Sequence, residues 1–140
     1  MQTAGYAQYR AVTTQTASPG ALLLQLYQAA IKNIGQARLA IERRDPAGAH
    51  AHTMRAQEIV AELQRTLDRE RGGEIAARLD ALYSYLLRRL ICANVQKDVA
   101  PLDEVQQLLR QLLAAWQVAV RETARPAPQM PATMNGAAAR

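Results

Sequence analysis

Apolar side chains recur at alternating spacings of three and four residues in four stretches of the chain, a spacing that places them on one face of an α-helix. The first helix is predicted to start at Ser18-Pro19 and the second at Asp45-Pro46, because a capping oxygen followed by proline is typical of a helix start. Gly72-Gly73 is predicted to end the second helix, Glu74 to favour the start of the third, and residues 94–101 to precede the fourth. The predicted core faces comprise Leu23, Tyr27, Ala30, Ile34, Ala37 and Ile41; His52, Ala56, Ile59, Leu63 and Leu67; Ile75, Leu79, Leu82, Leu86, Leu90 and Ala93; and Leu102, Val105, Leu109, Leu112, Trp116 and Val120.

Four amphipathic helices with short connections bury their apolar faces only by packing on one another, and short loops make neighbouring helices antiparallel. We therefore predict an all-α fold, an antiparallel up-down-up-down four-helix bundle formed by residues 18–124. Residues 1–17 are predicted to form an N-terminal arm or short cap helix, and residues 125–140, rich in Ala and Pro, a disordered C-terminal tail. The length of 140 residues fits one domain, and the absence of Phe with only seven Gly suits a helical chain.

The formal net charge of +5 is compatible with binding to nucleic acid, an anionic membrane surface or an acidic partner. The arginines are spread over several helices with acidic residues close by, such as Glu42 beside Arg43 and Arg44, which favours a solvated surface. A basic helical nucleic-acid-binding or regulatory protein is the alternative that remains open. The N-terminus lacks the layout of a secretory signal, and residues 21–31 are too short to span a bilayer, so we expect a cytoplasmic protein without membrane insertion.

The residue types that carry chemistry do not form a recognisable site. A di-metal bundle needs Glu-x-x-His pairs, and neither His50 nor His52 has a glutamate three residues earlier. The two histidines also diverge on a helix, so we expect no metal site. Cys92 is the only cysteine and has no nucleophile signature around it, and Gly72-Gly73 lacks the strand and Gly-Lys-Ser/Thr of a phosphate loop. We predict no catalytic residue and no cofactor, with a di-metal enzyme kept as a third hypothesis.

Several apolar residues fall outside the predicted core faces, and some of them must face water, the arm or a partner. Tyr6 and Tyr9 lie outside the periodic helices, where an aromatic ring with a polar tip docks on the bundle or stays exposed. Surplus apolar surface on helices is typical of proteins that hold an amphipathic helix in a groove. The predicted partner-binding residues are Tyr6, Tyr9, Leu22, Leu26, Val60, Leu87, Ile91, Leu108 and Leu113.

Several short sequence motifs resemble those of a known family. Tyr6 and Tyr9 precede Thr16-Ala-Ser-Pro19 and the apolar stretch 22–27, and a second block begins with Gly72-Gly-Glu-Ile-Ala76. That block continues through Leu82-Tyr83, Tyr85, Arg88-Arg89-Leu90 and Ala93-Asn94, followed by Glu104-Val105, Leu108-Leu109 and Trp116. Residues 6–120 resemble, in uninterrupted order, the flagellin-specific secretion chaperone family FliS. Gly20, Gly35 and His52 depart from the family pattern, and the tail matches nothing in it.

The resemblance implies a four-helix bundle that binds the C-terminal region of flagellin in the cytoplasm and masks its polymerising helix. It further implies delivery of flagellin to the gate of the flagellar type III export apparatus, without catalysis. We expect a monomer or a weak homodimer, and we expect the arm to cover part of the apolar groove until flagellin binds.

Overall fold

The computed structural model describes residues 18–124, so the predicted arm, residues 1–17, and the predicted tail, residues 125–140, lie outside the described residues. Helix α1 spans Pro19–Glu42, α2 spans Pro46–Arg65, α3 spans Arg69–Gln96 and α4 spans Val99–Ala124. No strand occurs between residues 18 and 124. The all-α prediction is confirmed.

The four helices form a closed ring of neighbours, in which α1 packs on α2 and α4, and α3 packs on the same two helices. With short connections, this arrangement is the predicted up-down-up-down bundle. One end of the bundle, here called the basal end, contains the start of α1, the α2–α3 connection and the end of α4. The helices approach closely there, because a Cβ atom on Gly20 would lie 3.0 Å from the Val120 methyl groups. The opposite, apical end contains the other two connections.

The core follows the predicted faces with few exceptions. Tyr27, Leu63, Leu86 and Leu109 represent the four helices in its fully buried centre. Ile75 was predicted to be buried, but 69% of its surface is exposed, so this prediction is wrong. Further fully or almost fully buried core residues are Ala30, Ile34, Ala37, Ala56, Ile59, Val60, Tyr83, Leu90, Ala93, Leu102 and Val105.

The junction between α2 and α3 differs from the prediction. Helix α2 ends at Arg65 instead of at Gly72-Gly73, and the Asp68 carboxylate caps α3 by accepting a hydrogen bond from the Arg71 amide. Gly73 lies inside α3 with φ 53° and ψ −125°, a conformation that residues with a Cβ rarely adopt. The glycine pair is therefore a kink within α3. Ile75, two residues after Gly73, is exposed, whereas its neighbour Ala76 is buried.

The junction between α3 and α4 is shorter than predicted. Lys97 ends α3 in the left-handed conformation, with φ 52°, and α4 begins at Val99, ahead of Pro101. Proline is compatible with the first turn of a helix because its missing N–H has no partner there. Asn94, at the start of the predicted break, lies inside α3, and its side-chain oxygen accepts a hydrogen bond from Lys97 Nζ at 2.8 Å.

Candidate partner-binding site

The nine predicted partner-binding residues occupy different environments. Val60 is fully buried, so it belongs to the core and offers no surface to a partner, and its assignment is corrected. Leu22 and Ile91 are about half exposed, at 47% and 49%. Tyr6 and Tyr9 lie outside the described residues. The partly buried members, which pack against the core from its edges, are Leu26, Leu87, Leu108 and Leu113.

Two of these residues lie between α1 and α2. The side-chain oxygen of Asn33 on α1 is 3.1 Å from Nδ1 of His52 on α2, which identifies the side of α1 that faces α2. Leu22 and Leu26 precede Asn33 by eleven and seven residues, so helical spacing places them on that same side. They border the groove between α1 and α2.

Two further residues lie between α2 and α3. Gln64 Nε2 on α2 donates hydrogen bonds to Ser84 Oγ at 2.8 Å and to Asp80 Oδ1 at 2.9 Å, both on α3. Leu87 and Ile91 follow Ser84 by three and seven residues and share its side of the helix. They therefore border a second groove, between α2 and α3.

The α4 residues border the remaining two grooves. Leu108 follows Glu104 by one turn, and Glu104 faces α3, where Arg89 Nε donates to it at 2.7 Å. Leu113 follows Gln106 by two turns, and Gln106 faces α1, donating to the Ile31 carbonyl at 3.1 Å. The described candidates are thus distributed around the whole bundle. One bound helix has no means of contacting all of them at once.

The basal end holds an apolar pocket that the pattern of the sequence did not reveal. Its volume is about 310 Å³, and it opens between the α2–α3 connection, the first turns of α3 and the end of α4. Leu67, Leu79 and Trp116 are its partly buried walls, and the exposed Ile75 stands at its rim. We call this the basal pocket. Gly72 also lines it, where a Cβ atom would lie 2.7 Å from the Cβ of Ala76.

The large apolar residues that line the basal pocket were all assigned to the core by their spacing: Leu67, Ile75, Leu79 and Trp116. The signal that would have found the pocket is the glycine pair, which was interpreted as the end of a helix. Gly73 kinks α3, and Ile75, two residues further on, is exposed where its spacing predicted burial. An exposed isoleucine beside a kink, over a space of this size, is a surface suited to binding an apolar side chain.

A buried hydrogen-bond chain lies behind the pocket. Trp116 Nε1 donates to the Tyr27 hydroxyl at 3.1 Å, and the Tyr27 and Tyr83 hydroxyl oxygens are 2.5 Å apart. These hydrogen bonds therefore join α4, α1 and α3 through the core. Burial raises the pKa of both tyrosine hydroxyls, so both remain protonated at neutral pH and act as neutral hydrogen-bonding groups.

A polar cluster joins α3 and α4 nearer the apical end. Glu104 accepts hydrogen bonds from the Tyr85 hydroxyl and from Arg89 Nε, and these two bonds, the tyrosine's first, lower the pKa of its carboxyl. The same bond to Glu104 raises the pKa of Tyr85. The Arg88 guanidinium lies 5.9 Å from the centre of the Tyr85 ring. The cluster holds the α3–α4 pair together and engages both arginines of the Arg88-Arg89 pair.

Many of the arginines between residues 18 and 124 lie beside carboxylates. In residues 18–124, ion pairs with Asp or Glu involve Arg38, Arg55, Arg65, Arg69, Arg71, Arg78 and Arg89. Pairs of this kind describe a solvated surface of mixed sign rather than a dense basic stripe. Across the described helices, no group of three or more metal-binding side chains is found. None of these helices is long and apolar enough to cross a membrane.

Comparison with known families decides which proteins this chain is related to. The family model described as "Flagellar protein FliS" matches residues 1–123. The chain belongs to the FliS family. The match includes all residues of the basal pocket and the buried Tyr27, Tyr83 and Trp116 chain, and it ends where the predicted tail begins.

Relatives within the FliS family come from several bacteria. The chain is 36% identical over 116 residues to the flagellar secretion chaperone FliS of Bacillus subtilis, and these residues cover 83% of this chain and 86% of the relative. It is 37% identical over 113 residues to the flagellar secretion chaperone FliSB of Pseudomonas aeruginosa, covering 78% and 90%. Identity to FliS of Salmonella typhimurium is 37% over 102 residues, covering 72% and 76%. The predicted FliS resemblance is confirmed, and FliS relatives are named as chaperones, not as enzymes.

Proposed function

We propose that this protein is a cytoplasmic export chaperone that binds the C-terminal helical region of flagellin. It prevents premature polymerisation and assists delivery to the flagellar type III export apparatus, with an export-gate component as its second partner. The role is one of binding alone and needs no catalytic residue. Membership of the FliS family supports it, and the observation that carries it is the basal pocket, an apolar space with an exposed isoleucine at its rim.

The physics of the basal pocket suits one face of an amphipathic helix. Ile75 has 69% of its surface in water, and covering it with an apolar side chain stabilises a complex at roughly 25 cal/mol per Å² of apolar area. Asp68 and Arg71 beside the pocket supply polar groups of both signs for the flanks of a bound helix. A flagellin segment that becomes helical on binding loses conformational entropy, which lowers its net affinity and keeps the complex releasable.

The simplest test of the proposed function is a pull-down with the full-length chain. We expect capture of full-length flagellin as a soluble 1:1 complex, inhibition of filament growth, and loss of capture when the C-terminal region of flagellin is removed. Equal capture of both flagellins would contradict the proposed site of recognition. The nucleic-acid alternative predicts affinity for DNA or RNA that falls steeply with salt, and the ion-paired arginines give it no support.

The N-terminal arm is part of the same proposal. The arm joins the bundle at Ser18, at the basal end. Tyr9 precedes Ser18 by nine positions, enough to reach about 30 Å when extended. We propose that Tyr6 and Tyr9 cover the basal pocket in the free protein and leave it when flagellin binds. A covering segment competes with the ligand and lowers its apparent affinity.

Deletion of residues 1–17 is therefore expected to raise flagellin affinity several-fold while helical content remains. Isothermal titration with a C-terminal flagellin peptide and circular dichroism measure the two quantities. The control is the double substitution of Tyr6 and Tyr9 by serine, which keeps the length of the arm and should reproduce the gain. Unchanged affinity would refute gating, and reduced affinity would show that the arm contacts flagellin directly.

A further inference from the structure

Trp116 has two roles at the basal end, and they use different parts of its indole ring. The ring forms a wall of the basal pocket, whereas its Nε1–H points into the core and donates to the Tyr27 hydroxyl. The ring is partly buried against the core, so packing holds its apolar faces, and its single polar atom needs an acceptor. The bond to Tyr27 is the polar contact that fixes which way the indole faces.

Tyr27 is well placed to hold the indole because its own position is fixed. Its side chain is fully buried, and its hydroxyl is paired with that of Tyr83, which is also buried. An indole nitrogen is only a donor, so it needs an acceptor, and the Tyr27 oxygen supplies one away from water. Tyr27 does not line the basal pocket, so any effect it has there is transmitted through Trp116.

We propose that Tyr27 is a positioning residue for the basal pocket. Tyr27 holds the Trp116 indole as a fixed wall, and this wall keeps the pocket open for an apolar side chain of flagellin. Without the acceptor, the indole is free to change rotamer, and a rotated ring fills the space that the ligand would occupy. The inference rests on the proposed function for the identity of the ligand. The position of the indole itself does not depend on that function.

Two single substitutions in the tyrosine pair separate positioning from simple support of the fold. Tyr27→Phe and Tyr83→Phe each remove one hydroxyl from the same buried bond, so each loses the stabilisation that this bond provides. Only Tyr27→Phe also removes the acceptor of Trp116. A purely structural role predicts that the two variants bind alike, whereas a positioning role predicts that they differ.

Trp116 is the only tryptophan in the chain, so its fluorescence reports on this one position. We expect Tyr27→Phe to shift the emission maximum, shorten the anisotropy decay of the indole and weaken binding of a C-terminal flagellin peptide about three- to tenfold. Tyr83→Phe should leave emission and affinity close to those of the unchanged protein. Circular dichroism confirms that each variant is folded.

Equal affinities and equal emission for the two variants would overturn the inference. Trp116→Phe removes the donor from the surface side of the same bond and should weaken binding at least as much as Tyr27→Phe, which keeps the test valid if Tyr27→Phe fails to fold. If the unchanged protein binds no flagellin peptide, the proposed function fails. The fluorescence comparison still decides whether Tyr27 positions the indole.

Discussion

Replacement of Ile75 by aspartate is expected to weaken binding of the flagellin C-terminal region by about tenfold or more. Burial of an isoleucine side chain contributes about 1.5–3 kcal/mol, and about 1.4 kcal/mol corresponds to a factor of ten in affinity. A carboxylate at the rim of the basal pocket also loses hydration when a partner covers it. Because 69% of Ile75 is exposed, its replacement should change the free energy of unfolding by no more than about 0.5 kcal/mol. Peptide titration and urea unfolding measure the two effects.

Val95 provides the matched control for this substitution. It is 79% exposed on the same helix, and 20 residues of α-helix place it about 30 Å from Ile75. Val95→Asp introduces the same charge into an exposed apolar position at the apical end. We expect it to leave flagellin affinity within about twofold. Similar losses from both variants would move the binding surface away from the basal pocket or attribute it to net charge.

The fold was predictable because its signals are local. The hydroxyl of Ser18 accepts a hydrogen bond from the Ala21 amide, and the carboxylate of Asp45 accepts one from Gly48, as their positions before proline indicated. Helical spacing then identified most of the core, since a residue's angle around its own helix follows from sequence alone. Both kinds of signal act within a few residues and need no knowledge of the neighbouring helices.

The basal pocket was not predictable, because it depends on contacts between residues that are far apart in the sequence. Gly72-Gly73 is compatible with a helix end and with a kink, and the choice depends on the Asp68 cap upstream. The pocket also needs Trp116, which approaches Leu67 and Ile75 only after α4 has packed against the bundle. Residues this far apart in the chain leave no joint pattern in a single sequence. A space between helices is therefore harder to predict than the helices themselves.

The surface candidates show the same limit. Periodicity gave the angles of Leu22, Leu87 and Leu113 on their own helices, but not the neighbours they face, and they border three different grooves. Val60 follows Ile59 at the edge of the predicted face of α2, and both are buried. The width of a buried face depends on how closely the neighbouring helices approach, which spacing does not report. Val60 was predicted to lie at the surface and is fully buried, and this difference can be tested by mutation.

Replacement of Val60 by aspartate is expected to lower the free energy of unfolding by about 4 kcal/mol or more, because it buries an unpaired carboxylate in an apolar core. Domains of this size are stable by about 5–15 kcal/mol, so the variant should be largely unfolded or should unfold at much lower urea concentration. Far-ultraviolet circular dichroism during urea unfolding measures the change. The fully buried side chain leaves the new charge no route to water without opening the α2 packing.

The matched substitution is Ile91→Asp, at a position that the sequence placed in the same class as Val60. Ile91 is 49% exposed, so its new carboxylate can reach water, and we expect a change of at most about 1 kcal/mol. A change of at most about 1 kcal/mol in both variants would show that Val60 is not buried in solution. Titration of the folded Ile91→Asp variant with flagellin peptide also tests whether the groove between α2 and α3 contributes to binding. Unchanged affinity would confine recognition to the other grooves and the basal pocket.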